Sequence, residues 1–438
     1  MTIAAEPFTA ARPTPLAPGL RKTLILASLG GALEFYDFIV FVFFADVIGR
    51  LFFPPDVPDW VTQFEAFAIF GVGYFARPLG GVIVAHFGDK FGRKRIFMLS
   101  VFMMALPTLL IGCLPVYADI GYLAPVLLAL LRVLQGAAIG GEAPGAWVFV
   151  SEHAGARRTG FACGLLACGL VAGILLGSTV STVIHAAYSP AAIADFAWRF
   201  PFLLGGFLGF VAIYLRRWLN ETPVFQAMQA RSGLERSLPL KIVWQHHPRA
   251  IVVSMALTWM LAAIITVVIL MAPALIRKLD GVPALVTFYA TDLATFGLGL
   301  SALLTGMMID RFGTRRVALI LGPIMIAAVY GLFSPAAANP DFLLAISLLA
   351  GFGSGLSTLV PVTLMRGFPA PVRFTGASFS YNVAYAIAGG VTPVLVQAWS
   401  LKDRYGPAHY VALCVVIGVV AALISIRSNL LVSDNAGF

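Results

Sequence analysis

Two carboxylates stand close together in the first apolar stretch of the sequence. Glu34 and Asp37 are three residues apart and about midway along it, so a helix places them on one face. Two carboxylates in a low-dielectric site repel each other's charge, and at least one is then expected to bind a proton near neutral pH. The pair is a candidate proton-coupling site, with Asp37 as the first choice. The alternative is that one of them is a structural hydrogen-bonding partner or lies near the helix end.

An arginine in the fourth apolar stretch offers the complementary charge. Arg132 lies about ten residues into that stretch, and a guanidinium at such a depth keeps its charge and needs an anion. That anion could be Asp37, a substrate carboxylate or each in turn, or Arg132 could belong to a permanent structural pair. Gln135 lies three residues further on and can add a neutral hydrogen bond. These two residues, with Tyr36, are predicted to bind substrate.

Two further charges, Arg77 and Glu142, fall nearer the ends of the second and fourth stretches. Intramembrane ionisable residues are costly, at about 2.5–3.5 kcal/mol each on insertion scales, so they tend to be paired or functional. We expect Arg77 to form a structural ion pair, with Glu142 or with a neighbour. Glu142 could instead relay the proton inward, and it is kept as a proton-coupling candidate.

In the second half of the chain, the candidate substrate contacts are polar or amphipathic side chains in apolar runs. Each could equally be a packing residue or an interfacial anchor. They are Trp259, Tyr381, Asn382 and Tyr385.

The composition indicates the kind of molecule that must position these residues. Of 438 residues, 60% are apolar and 11% are charged, and the mean hydropathy is +0.91. Soluble domains carry about 25% charged residues. The net charge of +9 could suggest a nucleic-acid partner, but the basic residues sit in short clusters between apolar stretches, as topology signals do. We therefore predict an integral membrane protein that binds no nucleic acid.

Twelve apolar stretches are long enough to cross a hydrocarbon core of about 30 Å. The predicted fold is all-α, with two pseudo-symmetric halves of six transmembrane helices. The predicted spans are 23–48, 62–86, 96–115, 122–149, 160–186, 198–218, 250–273, 284–307, 316–334, 342–365, 374–398 and 409–428.

These spans divide the chain into five predicted regions. A disordered cytoplasmic tail (1–22) precedes the first bundle (23–218), and a polar cytoplasmic linker (219–249) leads to the second bundle (250–428), which a short cytoplasmic tail (429–438) follows. Most of the 29 lysines and arginines fall on one side of this topology. The positive-inside rule places that side, and both termini, in the cytoplasm.

An internal repeat supports the two halves. Asp89-Lys90-Phe91-Gly92-Arg93-Lys94-Arg95 recurs half a chain later as Asp310-Arg311-Phe312-Gly313-Thr314-Arg315-Arg316. Repeats of this kind mark secondary transporters, whose substrate site lies between them. Each aspartate could pair with loop arginines or sit at a helix N-terminus of the opposite half. We predict a conformational gate that holds the cytoplasmic side closed, formed by Gly88, Asp89, Gly92, Arg93, Asp310, Gly313 and Arg316.

Several segments resemble signatures of a known family. The segment from Gly81 to Arg95 resembles the loop motif of the major facilitator superfamily, and Arg132-Val133-Leu134-Gln135-Gly136 resembles its fourth-helix motif. Further signatures are similar to those of the metabolite:proton symporters, which include permeases for citrate, 2-oxoglutarate, shikimate and proline or betaine. These segments are Leu33–Phe38, Arg77–Gly81, Gly140–Glu142, Trp198–Phe202 and Glu221–Phe225.

The resemblance implies a monomeric transporter of the bacterial inner membrane that works by alternating access. With Arg132 as the cavity cation, the expected activity is proton-coupled uptake of a small organic anion, a mono- or dicarboxylate. The alternatives are uptake of a zwitterionic osmolyte such as proline or betaine, and proton-coupled efflux of a hydrophobic compound.

Other classes of protein fit the sequence less well. The sequence carries no nucleotide-binding loop, metal cluster or nucleophile motif, so we predict no enzymatic activity and no cofactor apart from the coupling proton. A channel could share the composition, but it would not need paired Asp/Arg loops half a chain apart.

Overall fold

The structure is a computed structural model that describes residues 18–54, 59–230 and 239–427. Within these ranges it describes every side chain except those at 18, 34, 38, 46, 59–72, 74, 284, 426 and 427. The prediction for Glu34 therefore lies outside the described side chains. The predicted tails, 1–22 and 429–438, lie wholly or largely outside the described residues.

Twelve long helices follow one another in the described part of the chain, with shorter helical segments between some of them. We number them α1 Pro18–Phe43, α2 Asp59–Phe91, α3 Arg93–Cys113, α4 Leu123–Ala154, α5 Thr159–Ala187, α6 Arg199–Arg216, α7 Pro248–Asp280, α8 Ala284–Phe312, α9 Thr314–Leu332, α10 Pro340–Gly367, α11 Arg373–Ser400 and α12 Gly406–Arg427.

Eleven of these helices are long and apolar enough to cross a membrane within the described part of the chain. The twelfth, α2, has 33 residues, or about 50 Å at 1.5 Å per residue, which also exceeds the hydrocarbon thickness. The predicted all-α fold is confirmed, and the predicted spans coincide with these helices to within a few residues at most ends.

Two of the helices are not regular. In α7 the α-helix Pro248–Ile264 passes through a π-helical segment, Ile265–Met271, before Ala272–Asp280. In α10 a 3-10 segment, Gly355–Thr358, separates Pro340–Ser354 from Leu359–Gly367. Such irregularities appear often at functional sites, and both segments contribute residues to the cavity described below.

Glycine makes the two repeated turns. Gly92 joins α2 to α3 with φ of 112°, and Gly313 joins α8 to α9 with φ of 82°. These are left-handed backbone conformations that residues with a Cβ seldom adopt, so glycine allows a one-residue turn at each place.

The two halves meet along two seams, where α2 packs on α11 and α5 packs on α8. The second seam is close: a Cβ at Gly160 or Gly306 would overlap the backbone carbonyl of the other. The side on which the α2–α3 and α8–α9 turns lie is the predicted cytoplasmic side.

The connection between the halves contains two short helices, where the sequence predicted only a polar linker. They are Pro223–Ala230 and Pro239–His246, and the second packs against α11, α2 and α7. Their buried faces are short and apolar, Phe225 with Met228 and Pro239 with Val243, too few positions for a periodicity to stand out in a polar segment.

Candidate substrate cavity and gate

A cavity of about 120 Å³ lies between the two halves. At about 30 Å³ per molecule it has room for roughly four waters. Most of its wall is apolar and comes from both halves, including Ile39 of α1, Leu170 of α5, Ile265 of α7 and Leu298 of α8. A mostly apolar cavity between repeated halves is where a transported solute is expected to bind.

Arg77 of α2 supplies the one ionisable cation among the described residues that line the cavity. Its guanidinium carbon lies 4.5 Å from the ring centroid of Tyr385 and 5.7 Å from that of Tyr381, within the range of cation–π attraction. The predicted ion pair between Arg77 and Glu142 is wrong, because Glu142 pairs with Arg216 of α6. In the structure Arg77 stacks on tyrosines of the opposite half, in the cavity wall.

Close packing of α2 on α4 fixes the direction of Arg77. A Cβ at Gly140 would overlap the carbonyl oxygen of Arg77, and one at Gly136 would overlap that of Gly73. Because only glycine allows this approach, the backbone of α2 at Arg77 lies directly against α4. The Arg77 side chain projects toward the other half.

Trp147 of α4 completes an aromatic wall that the sequence prediction missed. Its ring centroid lies 5.0 Å from that of Tyr381, with the planes at 87°. Trp147 is only 3% exposed, and its indole Nε1–H has no hydrogen-bond partner among the described residues. A buried donor without a partner is costly, and a substrate acceptor in the cavity would satisfy it. The signal available in the sequence was a tryptophan deep in an apolar run.

The predicted substrate contacts in the first half lie elsewhere. Arg132 donates to the Gln135 side-chain oxygen at 2.9 Å, and Gln135 donates to Thr108 at 2.7 Å, inside the first bundle. The Arg132 guanidinium lies 4.2 Å from the Phe41 ring centroid. The Tyr36 hydroxyl donates to the Pro201 carbonyl at 2.9 Å. None of Arg132, Gln135 and Tyr36 lines the described cavity wall. Arg132 and Gln135 of α4 turn toward α1 and α3, and Tyr36 of α1 turns toward α6.

Asp37 is buried in the same bundle, against α6. Two glycines make room for it: a Cβ would meet an Asp37 carboxyl oxygen at 2.5 Å from Gly205 and at 3.3 Å from Gly209. Asp37 is 1% exposed, and neither of its oxygens has a hydrogen-bond partner among the described residues. An ionised carboxylate without partners is expensive to bury, and protonation removes that cost.

Glu142 has a different partner from the one expected. Its carboxylate lies 3.5 Å from a terminal nitrogen of Arg216 on α6, and both side chains are almost wholly buried. Arg216 also donates to the Phe97 carbonyl at 3.1 Å and lies over the Phe97 ring. Glu142 therefore forms an ion pair with a neighbour, Arg216, and not with Arg77.

In the second half, the four predicted contacts separate into two groups. Tyr381 and Tyr385 line the cavity. Trp259 donates to Tyr410 at 2.9 Å, inside its own bundle and away from the described cavity wall. Asn382 donates across the seam to the Gly140 carbonyl at 2.6 Å, so it joins the halves beside the cavity without lining it.

The first repeated turn reaches across the α2–α11 seam. Asp89 accepts hydrogen bonds from the backbone N–H of Thr375 at 3.0 Å and from its hydroxyl at 2.8 Å, in the first turn of α11. It also pairs with Arg93 at 3.1 Å. A carboxylate at a helix N-terminus satisfies amides that have no intrahelical acceptor. At Gly88 a Cβ would overlap the Phe374 ring, so this glycine allows the close approach.

Glu152, at the end of α4, also takes part in this contact between α2 and α11. It lies 3.5 Å from Arg93 and 3.4 Å from Arg373 of α11. Its carboxylate also accepts a 2.6 Å hydrogen bond from the hydroxyl of Thr222. In the linker, Glu221 accepts from the Lys94 amide and caps the start of α3. Sequence reasoning did not find Glu152, because an acid next to a loop looks like a solvated residue.

The second turn makes the matching contact across the α5–α8 seam. Asp310 accepts from the backbone N–H groups of Gly160 and Phe161 at 2.8 and 2.7 Å, in the first turn of α5, and it lies 3.5 Å from Arg366. Arg316, the predicted gate arginine, is exposed at the surface. The pairing arginine comes from the end of α10 instead, because the repeat has Thr314 where the first copy has Arg93.

These features define a class of protein. Twelve membrane helices in two repeated halves, with a cavity between the halves and reciprocal contacts closing one side, form the architecture of a secondary transporter. The family model for the Major Facilitator Superfamily matches residues 27–393. The chain therefore belongs to the Major Facilitator Superfamily, and the family resemblance inferred from the motifs is confirmed.

Relatives of known name are transporters. The chain is 32% identical to the glycine betaine/proline/ectoine/pipecolic acid transporter OusA of Dickeya dadantii, over 92% of this chain and 83% of that protein. It is 33% identical to the proline/betaine transporter of Salmonella typhimurium, over 95% and 86%. It is 32% identical to the inner membrane metabolite transport protein YhjE of Escherichia coli, over 88% of each.

A solved structure shares the fold. It is that of the proton:xylose symporter XylE bound to 6-bromo-6-deoxy-D-glucose, with a TM-score of 0.78 and 17% identity, over 93% of this chain and 95% of that one. The protein is thus a multi-pass membrane transporter with the twelve-helix fold. The expected organic-acid substrate finds no support among these relatives, whose names favour the zwitterionic alternative.

Proposed function

We propose that this protein imports a small zwitterionic osmolyte of the proline or betaine type together with protons. The observation that carries the proposal is the pairing of one guanidinium with an aromatic wall in a single cavity between the halves. A zwitterion needs both features, a cation for its carboxylate and π-faces for its ammonium. The proposed site consists of Arg77, Trp147, Tyr381 and Tyr385.

The carboxylate end of the substrate is assigned to Arg77. A guanidinium can stack its face on a ring while its N–H groups donate in the plane of the fork, so the contact with Tyr385 is compatible with donation to a carboxylate in the cavity. The indole Nε1–H of Trp147 is a second donor in the same wall. Together they can hold the two oxygens of one carboxylate.

The ammonium end is assigned to the aromatic side chains. Quaternary and secondary ammonium groups are attracted to the faces of Trp and Tyr rings, by up to about 2 kcal/mol when desolvated. Trp147 and Tyr381 stand edge to face, so they offer two differently oriented surfaces. A mono- or dicarboxylate would leave this aromatic surface unused, and a dicarboxylate would find one lining guanidinium for its two charges. The names of the relatives add support for a zwitterion.

Protons are assigned to Asp37. Its carboxyl group is buried beside α6 with no hydrogen-bond partner among the described residues, which favours a site that gains and loses a proton as the bundle rearranges. The contacts of Asp89 and Asp310 are assigned to the gate, since each joins one half to a helix N-terminus of the other. Opening the cytoplasmic side requires both to break, as alternating access demands.

The test is transport by the purified protein in proteoliposomes that contain a pH-sensitive dye. Radiolabelled glycine betaine and proline are offered against gluconate and succinate, with an inward proton gradient, in the absence and in the presence of sodium. We expect internal acidification and accumulation with betaine or proline only, without a need for sodium. Uptake of succinate or gluconate with no uptake of either zwitterion would overturn the proposed substrate. Zwitterion uptake that requires sodium and moves no protons would overturn the proposed coupling.

A further inference from the structure

A groove of about 750 Å³ runs along the outside of the α2–α11 seam. Its walls come from α2, from α11 and from the linker helix Pro239–His246. The apolar side chains are Val82, Ile83 and Phe87 of α2, Leu240 and Trp244 of the linker helix, and Phe379 of α11. We call this feature the seam groove.

The seam groove faces the surroundings of the protein and not the transport cavity. Ile83 is 48% exposed, Phe87 43% and Trp244 63%, although all three are large and apolar. Trp244 stands edge to face on Phe379, with ring centroids 6.0 Å apart. In a membrane protein such a surface lies against lipid, and Trp244 sits on a short helix beside the membrane end of α11, where tryptophans favour the interface.

Basic side chains lie along the edge of this apolar surface. Lys241 and His86 are part of the groove wall, and none of the nine described residues that line it is acidic. Lys90 follows His86 by one helical turn on the same face of α2. Basic pockets between membrane helices on the cytoplasmic side suit anionic head groups, and the stem of a lysine can lie along apolar surface while its ammonium reaches the head-group region.

We propose that the seam groove binds an anionic phospholipid of the adjacent leaflet. Its head group would contact Lys241 and His86, and an acyl chain would lie along Ile83, Phe87 and Trp244. The position gives this lipid a conformational role. Because α2 and α11 belong to different halves, a lipid that contacts both binds best while the seam is closed, and it shifts the population toward that state. The inference is independent of the transported substrate.

Native mass spectrometry of the full-length protein tests the site. The protein is released from mixed micelles of phosphatidylglycerol and phosphatidylethanolamine in equal amounts, and the retained lipids are counted. We expect selective retention of phosphatidylglycerol, and a fall of about fivefold in the bound fraction for Lys241→Gln. The matched control is Lys402→Gln, an exposed lysine in the loop between α11 and α12, which should retain the lipid like the unmodified protein.

A second variant tests the apolar part of the groove. Ile83→Trp fills the groove from the α2 side and should lower retention of phosphatidylglycerol without touching the basic residues. The proposal is overturned if the two lipids are retained equally, or if Lys241→Gln retains as much phosphatidylglycerol as the control. Should Ile83→Trp fold poorly, as judged by gel filtration, the Lys241 comparison decides alone, because Lys241 is exposed.

Discussion

At the scale of single residues, the cavity depends on how Arg77 combines two interactions. Its guanidinium carbon lies 4.5 Å from the Tyr385 ring, and stacking uses only the face of the group. The N–H donors around the edge remain in one plane with fixed spacing, which matches the two oxygens of a carboxylate. A lysine would offer a point charge without this geometry.

Replacing Arg77 with glutamine should weaken substrate binding roughly ten- to a hundredfold. The estimate follows from about 1.5–3 kcal/mol for a hydrogen bond to a charged group. Equilibrium binding of labelled glycine betaine to the purified variant measures the effect. Arg217→Gln removes an exposed arginine and is the control. An unchanged affinity in Arg77→Gln would exclude Arg77 from the substrate site.

The neutral variant Asp37→Asn should lose uphill accumulation but keep exchange. One proton moving inward through 100 mV supplies about 2.3 kcal/mol, which supports about fiftyfold accumulation. Without the titrating carboxyl group, the ratio of internal to external substrate should fall to about one, while counterflow of labelled against unlabelled substrate continues. Asp292→Asn, at an exposed aspartate, should accumulate normally. Uphill accumulation by Asp37→Asn would assign the proton to another residue.

Arg77 and Arg132 show that the depth of a side chain in the membrane could be predicted from the sequence, whereas the direction in which it points could not. Hydropathy located both arginines inside the membrane, and the sequence singled out Tyr381 and Tyr385, which line the cavity. It did not give the rotation of α2 and α4 about their axes. That rotation follows from glycine contacts such as Gly136 on Gly73, which are formed between helices distant in sequence and leave no periodic signal in either one.

At the scale of helices, the packing of α2 on α4 is the contact that sets the site. Positions where a Cβ would overlap backbone recur along it, at Gly80, Gly136 and Gly140. Small residues let membrane helices approach closely, which compensates for the weak hydrophobic drive within lipid. This packing therefore fixes the direction of Arg77 on α2 relative to that of Trp147 on α4.

A methyl group at this contact should destabilise the protein. In Gly136→Ala the new Cβ would meet the carbonyl of Gly73, which is backbone and cannot rotate away. We expect a loss of about 1–3 kcal/mol in the free energy of unfolding and a lower Tm in detergent. Gly390→Ala is matched in chemistry, but nothing lies within 4 Å of its added Cβ. Equal Tm values for the two variants would contradict this account of the packing.

The lengths and order of the helices were predictable, whereas their irregularities were not. Apolar runs gave all twelve spans because lipid imposes a minimum length. The π segment Ile265–Met271 and the 3-10 segment Gly355–Thr358 have no such cause. They sit at the middle of apolar runs, and backbone hydrogen bonding there is decided by neighbouring helices.

At the scale of the whole molecule, the gate consists of two reciprocal contacts. Asp89 of the first half caps α11 of the second, and Asp310 of the second half caps α5 of the first. Cys163 lies fully buried on α5, one turn from Gly160, whose amide donates to Asp310. This natural thiol can report whether the seam opens.

Asp89→Asn should raise the rate of Cys163 alkylation about tenfold. The neutral amide accepts weaker hydrogen bonds from the backbone N–H and the hydroxyl of Thr375, the contacts that cross the seam, and the closed state loses about 1.5 kcal/mol. Peptide-resolved mass spectrometry after maleimide treatment of open membrane fragments measures the rate. Asp341→Asn, at the exposed start of α10, should leave it unchanged. A rate unaffected by Asp89→Asn would mean that this contact does not hold the gate.

Four buried charged side chains, with Glu152 among them, affect the passage that forms when the gate opens. Arg93, Asp89 and Glu152 belong to the first half and Arg373 to the second, so the quartet is neutral only while the halves touch. Separation leaves one negative charge in excess on one wall of the new vestibule and one positive charge on the other. The field between them points across the exit path. A departing molecule with one positive and one negative charge would be oriented by that field but not bound by it. A simple anion would be attracted to Arg373.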